Sequence, residues 1–345
     1  MRGKEFRQQT PPLEPVGTPK NGKMASEDTS VFRNRTDDTR GNPPPAVVTV
    51  GERFQIFFHR EETVAYLMMF PIIVLVLGLL AYPFILAVAW SFTDKVIGLS
   101  GKFIDLNNFI QLSKSSIFRQ TVQNAVIYCV VSVALKITLG IVMALALNQI
   151  GWFRSFLRGI LLLPWVIPSA LSCLVWLWMF NDMFGVLNYI LRATGISEEG
   201  FLWLASPEMA LTSVIIVNVW RGTPFFGIAL LGGLQTIPEE VYEAAAIDGA
   251  GACRRFLHVT LPYLRSVLAV VTLFSTIWTF FDFEVVYIIT RGGPMNSTHL
   301  FATLAYQTGL IAGRLGEAAA ISLYLFPVLV VMIYLQLLYL HRAEA

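Results

Sequence analysis

The stretch PEEVYEAAAIDGAGACRRFLHVTLP, residues 238–262, interrupts an apolar half of the chain with four carboxylates, three consecutive alanines and two arginines. Residues 236–239 read TIPE, which fits a T-x-x-E capping box with proline in the first turn, so a helix is predicted to begin here. The helix is expected to run to about Asp248 and to end at Gly249 or Gly251, because glycine accepts the left-handed C-cap conformation. A helix of about three turns with this many charges is too short and too polar to cross a membrane.

The middle of this helix is slim, because Ala244–Ala246 let another backbone approach closely, and Glu243 and Asp248 can pair with cations on a partner. The pattern predicts a helix that sits in a groove of another protein. A surface helix on the lipid headgroups is the alternative. A second, basic piece at residues 253–261 follows, and Pro262 is expected to break it before the next apolar stretch.

Composition places the chain among polytopic membrane proteins, since its 345 residues are 55% hydrophobic and 14% charged. The net charge of +2 gives no signal for nucleic acid, and the three cysteines lack metal or redox spacing. Residues 1–50 are rich in proline and in charges of both signs, which predicts a disordered cytoplasmic tail. Residues 60–343 are expected to form the membrane domain.

Six apolar stretches are long enough to span a bilayer, which predicts an all-α protein with both termini on one side of the membrane. Lysine and arginine are distributed almost equally between the two sides, so the charge bias alone decides little about orientation. Four of the stretches have a clean apolar pattern, and the fourth and fifth are the ones singled out for their charges. The stretches are 65–90, 121–148, 155–180, 209–235, 264–290 and 318–340.

Charges inside spans mark pathways or paired structural sites. Arg221 lies near the middle of the fourth stretch beside Gly222 and Pro224, a pair expected to kink the helix and open space toward a cavity. Asp282 and Glu284 lie in the fifth stretch at a similar depth. We therefore expect Arg221 to pair with one of the two carboxylates, either as a structural clamp or in contact with substrate or gate.

Tryptophans of the third stretch offer flat faces on which a sugar could stack, and Trp176 is taken as the candidate for the translocation path. Trp165 and Trp178 are further possibilities. Interfacial anchoring is the alternative for all three, because tryptophans near span ends commonly lie at the membrane surface.

Glu243-Ala244-Ala245, then Gly249, then Leu261-Pro262 resemble the EAA loop of ABC-transporter permeases. Three further stretches, LPWVIP at 163–168, VWRGTPFF at 219–226 and ITRGGPMNST at 289–298, are similar to the maltose-type permeases that import carbohydrates. The resemblance covers roughly residues 60–340 and leaves only the tail outside.

This resemblance implies the type I ABC importer permease fold, with six transmembrane helices and a cytoplasmic coupling helix within the EAA loop at 238–262. In that family the loop inserts into a cleft on the ATP-hydrolysing subunit, so both termini are expected to be cytoplasmic in a bacterial plasma (inner) membrane. The coupling residues are then Glu243, Ala244, Ala245, Asp248, Gly249, Leu261 and Pro262. The implied partners are a second permease subunit, a dimer of ATP-binding subunits, an extracytoplasmic solute-binding protein and membrane lipid.

No phosphate-binding motif of the form G-x-x-x-x-G-K-S/T is present, and the nearest string, GLSGKF at 98–103, lacks the spacing. We therefore expect no enzyme activity, cofactor or metal in this chain, with ATP bound by the partner subunit. The favoured function is that of a permease subunit of a binding-protein-dependent sugar importer. The alternative is an ion-coupled secondary transporter or channel that uses Arg221, Asp282 and Glu284 as a relay.

Overall fold

The computed structural model describes residues 61–150 and 154–344, so the predicted tail at 1–50 lies outside the described residues. The chain divides into the units 1–67 and 68–345, and the packing described below belongs to the second. The helices are α1 (Glu61–Val76), α2 (Tyr82–Ser91), α3 (Asn107–Lys114), α4 (Ser116–Gln149), α5 (Arg154–Val166), α6 (Ser169–Met179), α7 (Val186–Ala193), α8 (Pro207–Leu234), α9 (Glu239–Ile247), α10 (Ala252–Arg255), α11 (Leu261–Phe280), α12 (Glu284–Ile289), α13 (Phe301–Tyr306) and α14 (Leu315–Glu344). Within the described residues there are three π-helical turns: Leu77–Ala81 joins α1 to α2, Phe256–Thr260 joins α10 to α11, and Gln307–Ile311 extends α13.

Five helical segments of the described chain are long and apolar enough to cross a membrane, and a bent helix pair supplies a sixth span if it is counted as one. The five are Val64–Ser91, Ser116–Gln149, Pro207–Leu234, Ala252–Ile289 and Leu315–Leu338. They agree with five of the six predicted stretches, and together with the bent pair they confirm an all-α membrane fold.

The third predicted span is not one helix. Helices α5 and α6 meet at a bend of 87°. Pro168 is the N-cap of α6 and has an extended ψ of 128°. Proline cannot donate the backbone hydrogen bond that would continue α5, and it disfavours helical geometry in the residue before it. The bend therefore has a local cause in the sequence.

Helices α4 and α8 form the central pair of the second unit, and both have ordinary capping signals. Ser115 caps α4, its Oγ accepting a hydrogen bond from the backbone N–H of Phe118 at 3.4 Å. Helix α8 begins with Pro207 after the N-cap Ser206 and remains helical through Pro224. The helix is therefore not interrupted at Gly222 and Pro224, and the expected kink there stays a prediction.

Two apolar core clusters lie along this pair. The first includes Tyr128 of α4 and Val217 of α8, and the second includes Leu147 of α4 and Phe226 of α8. All four side chains are buried. The α8 residues between the two clusters face a cavity, which places the candidate site between two well-packed ends of the bundle.

Candidate functional site

Helix α9 is the short charged helix that the sequence predicts, and its C-terminal end has the predicted form. Gly249 has φ +76°, the left-handed conformation. The N–H of Ala250 donates to the carbonyl of Ala245 at 2.9 Å, and the N–H of Gly249 donates to that of Ala246 at 3.0 Å. This pair of bonds is the Schellman motif, so the glycine at 249 satisfies the last carbonyls of α9.

The N-terminal end of α9 differs from the prediction. Pro238 occupies the N-cap position, and no side chain caps the helix there. Thr236, the expected capping residue, donates its hydroxyl to the carbonyl of Gly233 at 2.8 Å. It therefore completes the end of α8, and the predicted capping box does not form.

One face of α9 packs against the rest of the chain, and the other face is exposed. The hydroxyl of Tyr242 lies 3.0 Å from that of Thr260, and the Tyr242 ring packs against the second core cluster. Glu243, Ala244 and Asp248 are exposed, and Ala245 is half-buried. Helix α9 thus presents carboxylates beside small side chains, the combination that suits insertion into a groove.

Pro262 does not break the helix that follows α9, contrary to the prediction. It lies in the first turn of α11, where a missing N–H costs no intrahelical bond. A π-helical turn leads into it, in which the N–H of Leu261 donates to the carbonyl of Phe256. The basic piece and the fifth span therefore form one segment, Ala252–Ile289.

A cavity of about 440 Å³ lies between the two core clusters. Four predicted pathway residues line it: Arg221, Gly222, Asp282 and Glu284. The other two candidates lie elsewhere. Pro224 is buried in α8 and faces an apolar groove beside α5, and Trp176 packs against Phe180 and Trp220 with ring centroids 5.4 and 5.6 Å apart.

Aromatic rings form one wall of this cavity. Trp165 stacks on Phe225, with centroids 5.2 Å apart and planes inclined by 18°. Trp278 completes the wall, 5.4 Å from Trp165 and 5.3 Å from Phe225. The sequence suggested Trp165 but missed Trp278, because the two rings come together only when the third and fifth spans pack.

The expected ion pair between Arg221 and a carboxylate is not formed in the described structure, whose salt-bridge contacts do not join Arg221 to Asp282 or Glu284. Asp282 instead accepts hydrogen bonds from the Tyr128 hydroxyl at 2.6 Å and from the Asn218 amide at 2.7 Å. Neutral donors thus satisfy a buried carboxylate, as burial in a low-dielectric interior requires.

The backbone break around Asp282 explains its position. The fifth span leaves helical geometry at residues 281–283, between α11 and α12. The Oδ1 atom of Asp282 accepts from the backbone N–H of Val285 at 3.3 Å, which satisfies one donor at the start of α12. Glu284 is exposed and accepts from the hydroxyl of Ser169, at the bend of the third span.

Lys136 is the charged residue that the sequence analysis missed. It lies within α4 with only 3% of its surface exposed, and it lines the cavity. The rule that selected Arg221, a charge inside an apolar span, also applies to Lys136, so the signal was present in the sequence. Tyr128 and Asn218 carried no comparable signal, because each acquires its role only through Asp282.

Candidate metal ligands do not gather in this part of the molecule. Within residues 61–150 and 154–344, His, Cys, Asp and Glu side chains nowhere form a group of three or more that could hold an ion.

Comparisons with known proteins agree with this architecture. Residues 136–343 match the family described as binding-protein-dependent transport system inner membrane component. The trehalose/maltose transport system permease protein MalF of Thermococcus litoralis is 36% identical over 270 residues, covering 78% of this chain and 90% of that protein. The sulfoquinovosyl glycerol transport system permease protein SmoG of Agrobacterium fabrum is 32% identical over 282 residues, covering 81% and 91%.

A solved structure shares the fold. It is a bacterial alginate ABC transporter in complex with an alginate pentasaccharide-bound periplasmic protein, and one of its chains matches with a TM-score of 0.70. The match covers 83% of this chain and 95% of that chain at 21% identity. The fold is therefore that of an ABC importer permease.

Proposed function

This chain belongs to the family of binding-protein-dependent transport system inner membrane components, and from that premise we propose that it forms half of the membrane pathway of an ATP-driven sugar importer. The observation that carries the proposal is the cavity of about 440 Å³ between the two core clusters. Its volume falls within the range of small-molecule sites, and its wall combines aromatic rings with a few polar groups.

A saccharide is the cargo class that this wall favours. The rings of Trp165, Phe225 and Trp278 present flat apolar faces to the C–H surface of a sugar, and the charged side chains nearby can bond its hydroxyls. Arg221 and Glu284 are the proposed polar contacts with cargo or gate. The names of the related proteins, which refer to trehalose and maltose or to sulfoquinovosyl glycerol, support the same class.

ATP hydrolysis is assigned to separate subunits, and α9 is the proposed contact with them. Its exposed Glu243, Ala244 and Asp248 would enter a cleft on an ATP-binding subunit. The tight turn at Gly249 would set the direction in which the chain leaves α9. Closure of a dimer of these subunits would move α9 as a rigid body. The movement would pass through Leu261 and Pro262 into the fifth span and switch the access of the cavity.

A second permease subunit completes the proposed pathway. The first span, Val64–Ser91, has a mean hydropathy of 2.8 in its most apolar window, none of which is buried within the chain. Such a span needs lipid or another apolar chain around it. We place α9 and both termini on the cytoplasmic side of a plasma membrane, and an extracytoplasmic solute-binding protein on the opposite side.

Reconstitution tests the proposal. The chain would be purified with its companion subunits, placed in liposomes, and assayed for uptake and ATP hydrolysis with a panel of sugars and the binding protein. Stimulation of both by one sugar, lost on changing Gly249, is the expected result. Sugar entry driven by an ion gradient without ATP hydrolysis would contradict it and favour a relay through the membrane charges.

A further inference from the structure

Lys136 makes a contact that crosses from α4 to the end of α11. Its Nζ donates to the hydroxyl oxygen of Thr279 at 2.9 Å, and that hydroxyl donates to the carbonyl of Ser275 at 2.6 Å. All three residues are buried. The orientation of the Thr279 hydroxyl is therefore set, because its proton is used within α11 and its oxygen accepts from Lys136.

Gly222 provides the space for this contact. A Cβ atom added at Gly222 would lie 2.5 Å from Cδ of Lys136 and 3.3 Å from its Nζ, both closer than ordinary van der Waals contact. Helix α8 is continuous at this point, so the glycine does not end it. Gly222 forms a notch in the surface of α8, and the Lys136 side chain passes through this notch from α4 to α11.

Thr279 adjoins the aromatic wall of the cavity. It follows Trp278 directly, and its carbonyl accepts the N–H of Asp282 at 3.3 Å. Thr279, in the last turn of α11, thus lies in the chain between a ring of the cavity wall and the residue with the buried carboxylate. A contact that holds Thr279 in place therefore also restrains the backbone that carries Trp278 and Asp282.

Charge gives this contact a strength that a neutral bond would lack. Lys136 and Asp282 carry opposite charges and line the same cavity, although the described ion pairs do not join the two directly. Hydrogen bonds from charged donors are roughly twice as strong as neutral ones, and a buried charge without compensation is strongly unfavourable. Lys136 therefore depends on Thr279 for the direct hydrogen bond that compensates part of its burial.

We propose that Lys136 is a positioning residue of the transport cavity, which reaches through the notch at Gly222 and holds the last turn of α11, and with it Trp278, in place. The lysine acts through Thr279. Its importance for uptake rests on the proposed function, whereas its effect on the geometry of the cavity does not.

A double-mutant cycle on the reconstituted or detergent-purified transporter tests the contact itself. Lys136→Met keeps a linear apolar chain, and Thr279→Val keeps the shape of threonine without its hydroxyl. We expect each to lower thermal stability, and the double variant to be no less stable than the worse single, which is the signature of a shared interaction. Thr279→Ser, the matched control, retains the hydroxyl and should remain close to wild type. Additive losses would overturn the contact.

Thiol labelling tests the effect on the cavity. Phe281 lines the cavity and is half-exposed, whereas the native Cys129 and Cys173 are buried, so Phe281→Cys in a Cys253→Ser background reports on this wall. We expect Lys136→Met and Thr279→Val to change its modification rate by a water-soluble maleimide by about tenfold or more, and Thr279→Ser to leave it unchanged. A role confined to stability would leave the rate unaltered in all of them and would overturn the proposal.

An uptake assay distinguishes a failure of this inference from a failure of the proposed function. If wild-type liposomes import a sugar, Gly222→Ala and Lys136→Met should each reduce the rate about tenfold, while Thr279→Ser retains it. If no sugar is imported, the proposed function fails while labelling and stability still decide the role of Lys136. Should Lys136→Met not fold, the comparison of Thr279→Val with Thr279→Ser remains decisive.

Discussion

The hydroxyl of Tyr242 in α9 lies 3.0 Å from the hydroxyl of Thr260, one residue before α11 begins. Thr260 is buried, with 4% of its surface exposed, whereas the opposite face of α9 is open. A displacement of α9 by a partner bound to its exposed face would therefore be transmitted through this hydrogen bond to the fifth span. The far end of that span carries Trp278 and Asp282.

Tyr242→Phe removes this hydrogen bond while retaining the ring in the second core cluster. We expect a loss of about 0.5–1.5 kcal/mol in the free energy of unfolding, because one net intramolecular hydrogen bond is lost. We also expect fewer sugar molecules imported per ATP hydrolysed, since α9 would move with less effect on the span. Tyr263→Phe, at an exposed ring nearby, is the control. An unchanged ratio of uptake to hydrolysis in Tyr242→Phe would contradict this route.

Gly249→Leu should abolish sugar uptake while membrane insertion remains intact. A non-glycine residue at φ +76° costs about 1–2 kcal/mol, so the variant chain would leave the C-terminal turn of α9. Gly251 is the matched control, because its φ is −67° and an added Cβ meets nothing within 4 Å at either glycine. Uptake by Gly251→Leu at the wild-type rate, beside loss in Gly249→Leu, is the expected result. Equal effects of the two would show that bulk, not backbone geometry, matters there.

The sequence predicts those features of this molecule that have local causes. Gly249 ends α9 because a left-handed residue is needed a few positions after the helix, and this requirement is visible within a short stretch. The bend at Pro168 has an equally local cause in the missing donor, and treating the third span as continuous overlooked it.

The polar contacts of the cavity depend on residues that are far apart in the chain. Tyr128 and Asp282 are separated by 154 positions, and Lys136 and Thr279 by 143. Depth in the membrane predicted Arg221 and Asp282 as partners, because the two residues lie at a similar depth in their spans. Depth does not specify which face of a helix meets which neighbour, and Asn218, one turn before Arg221, is the α8 residue that reaches the carboxylate.

His299 should make stability depend on pH. Its side chain is buried beside Thr303 in the segment between the fifth and sixth spans, and burial lowers its pKa from the ordinary value of 6.5. The unfolded chain therefore binds the proton more readily, so stability is fully present above about pH 6.5 and is lost as the pH falls toward the native pKa.

This loss can amount to at most about 1.4 kcal/mol per pH unit for one proton. Melting temperatures would be measured between about pH 5 and 8, the range in which histidine changes its charge, and His299→Gln should flatten the acid side of the plot of melting temperature against pH. His258→Gln, which removes an exposed histidine, is the control variant measured in parallel. Parallel curves for His299→Gln and wild type would contradict the assignment.

Exchanging the charges of Arg221 and Asp282 should not restore transport. Arg221→Asp and Asp282→Arg are each expected to abolish uptake, and the double variant should remain inactive. An arginine at 282 would face the donors of Tyr128 and Asn218, which now stabilise a carboxylate, and would leave them without an acceptor. The exchange at Arg314 and Glu317, a surface pair in which Arg314 is exposed and Glu317 half-buried, is the control and should change stability by no more than about 1 kcal/mol. Recovery of uptake in the Arg221 and Asp282 double variant would mean that the two side chains pair directly in another conformation of the transport cycle.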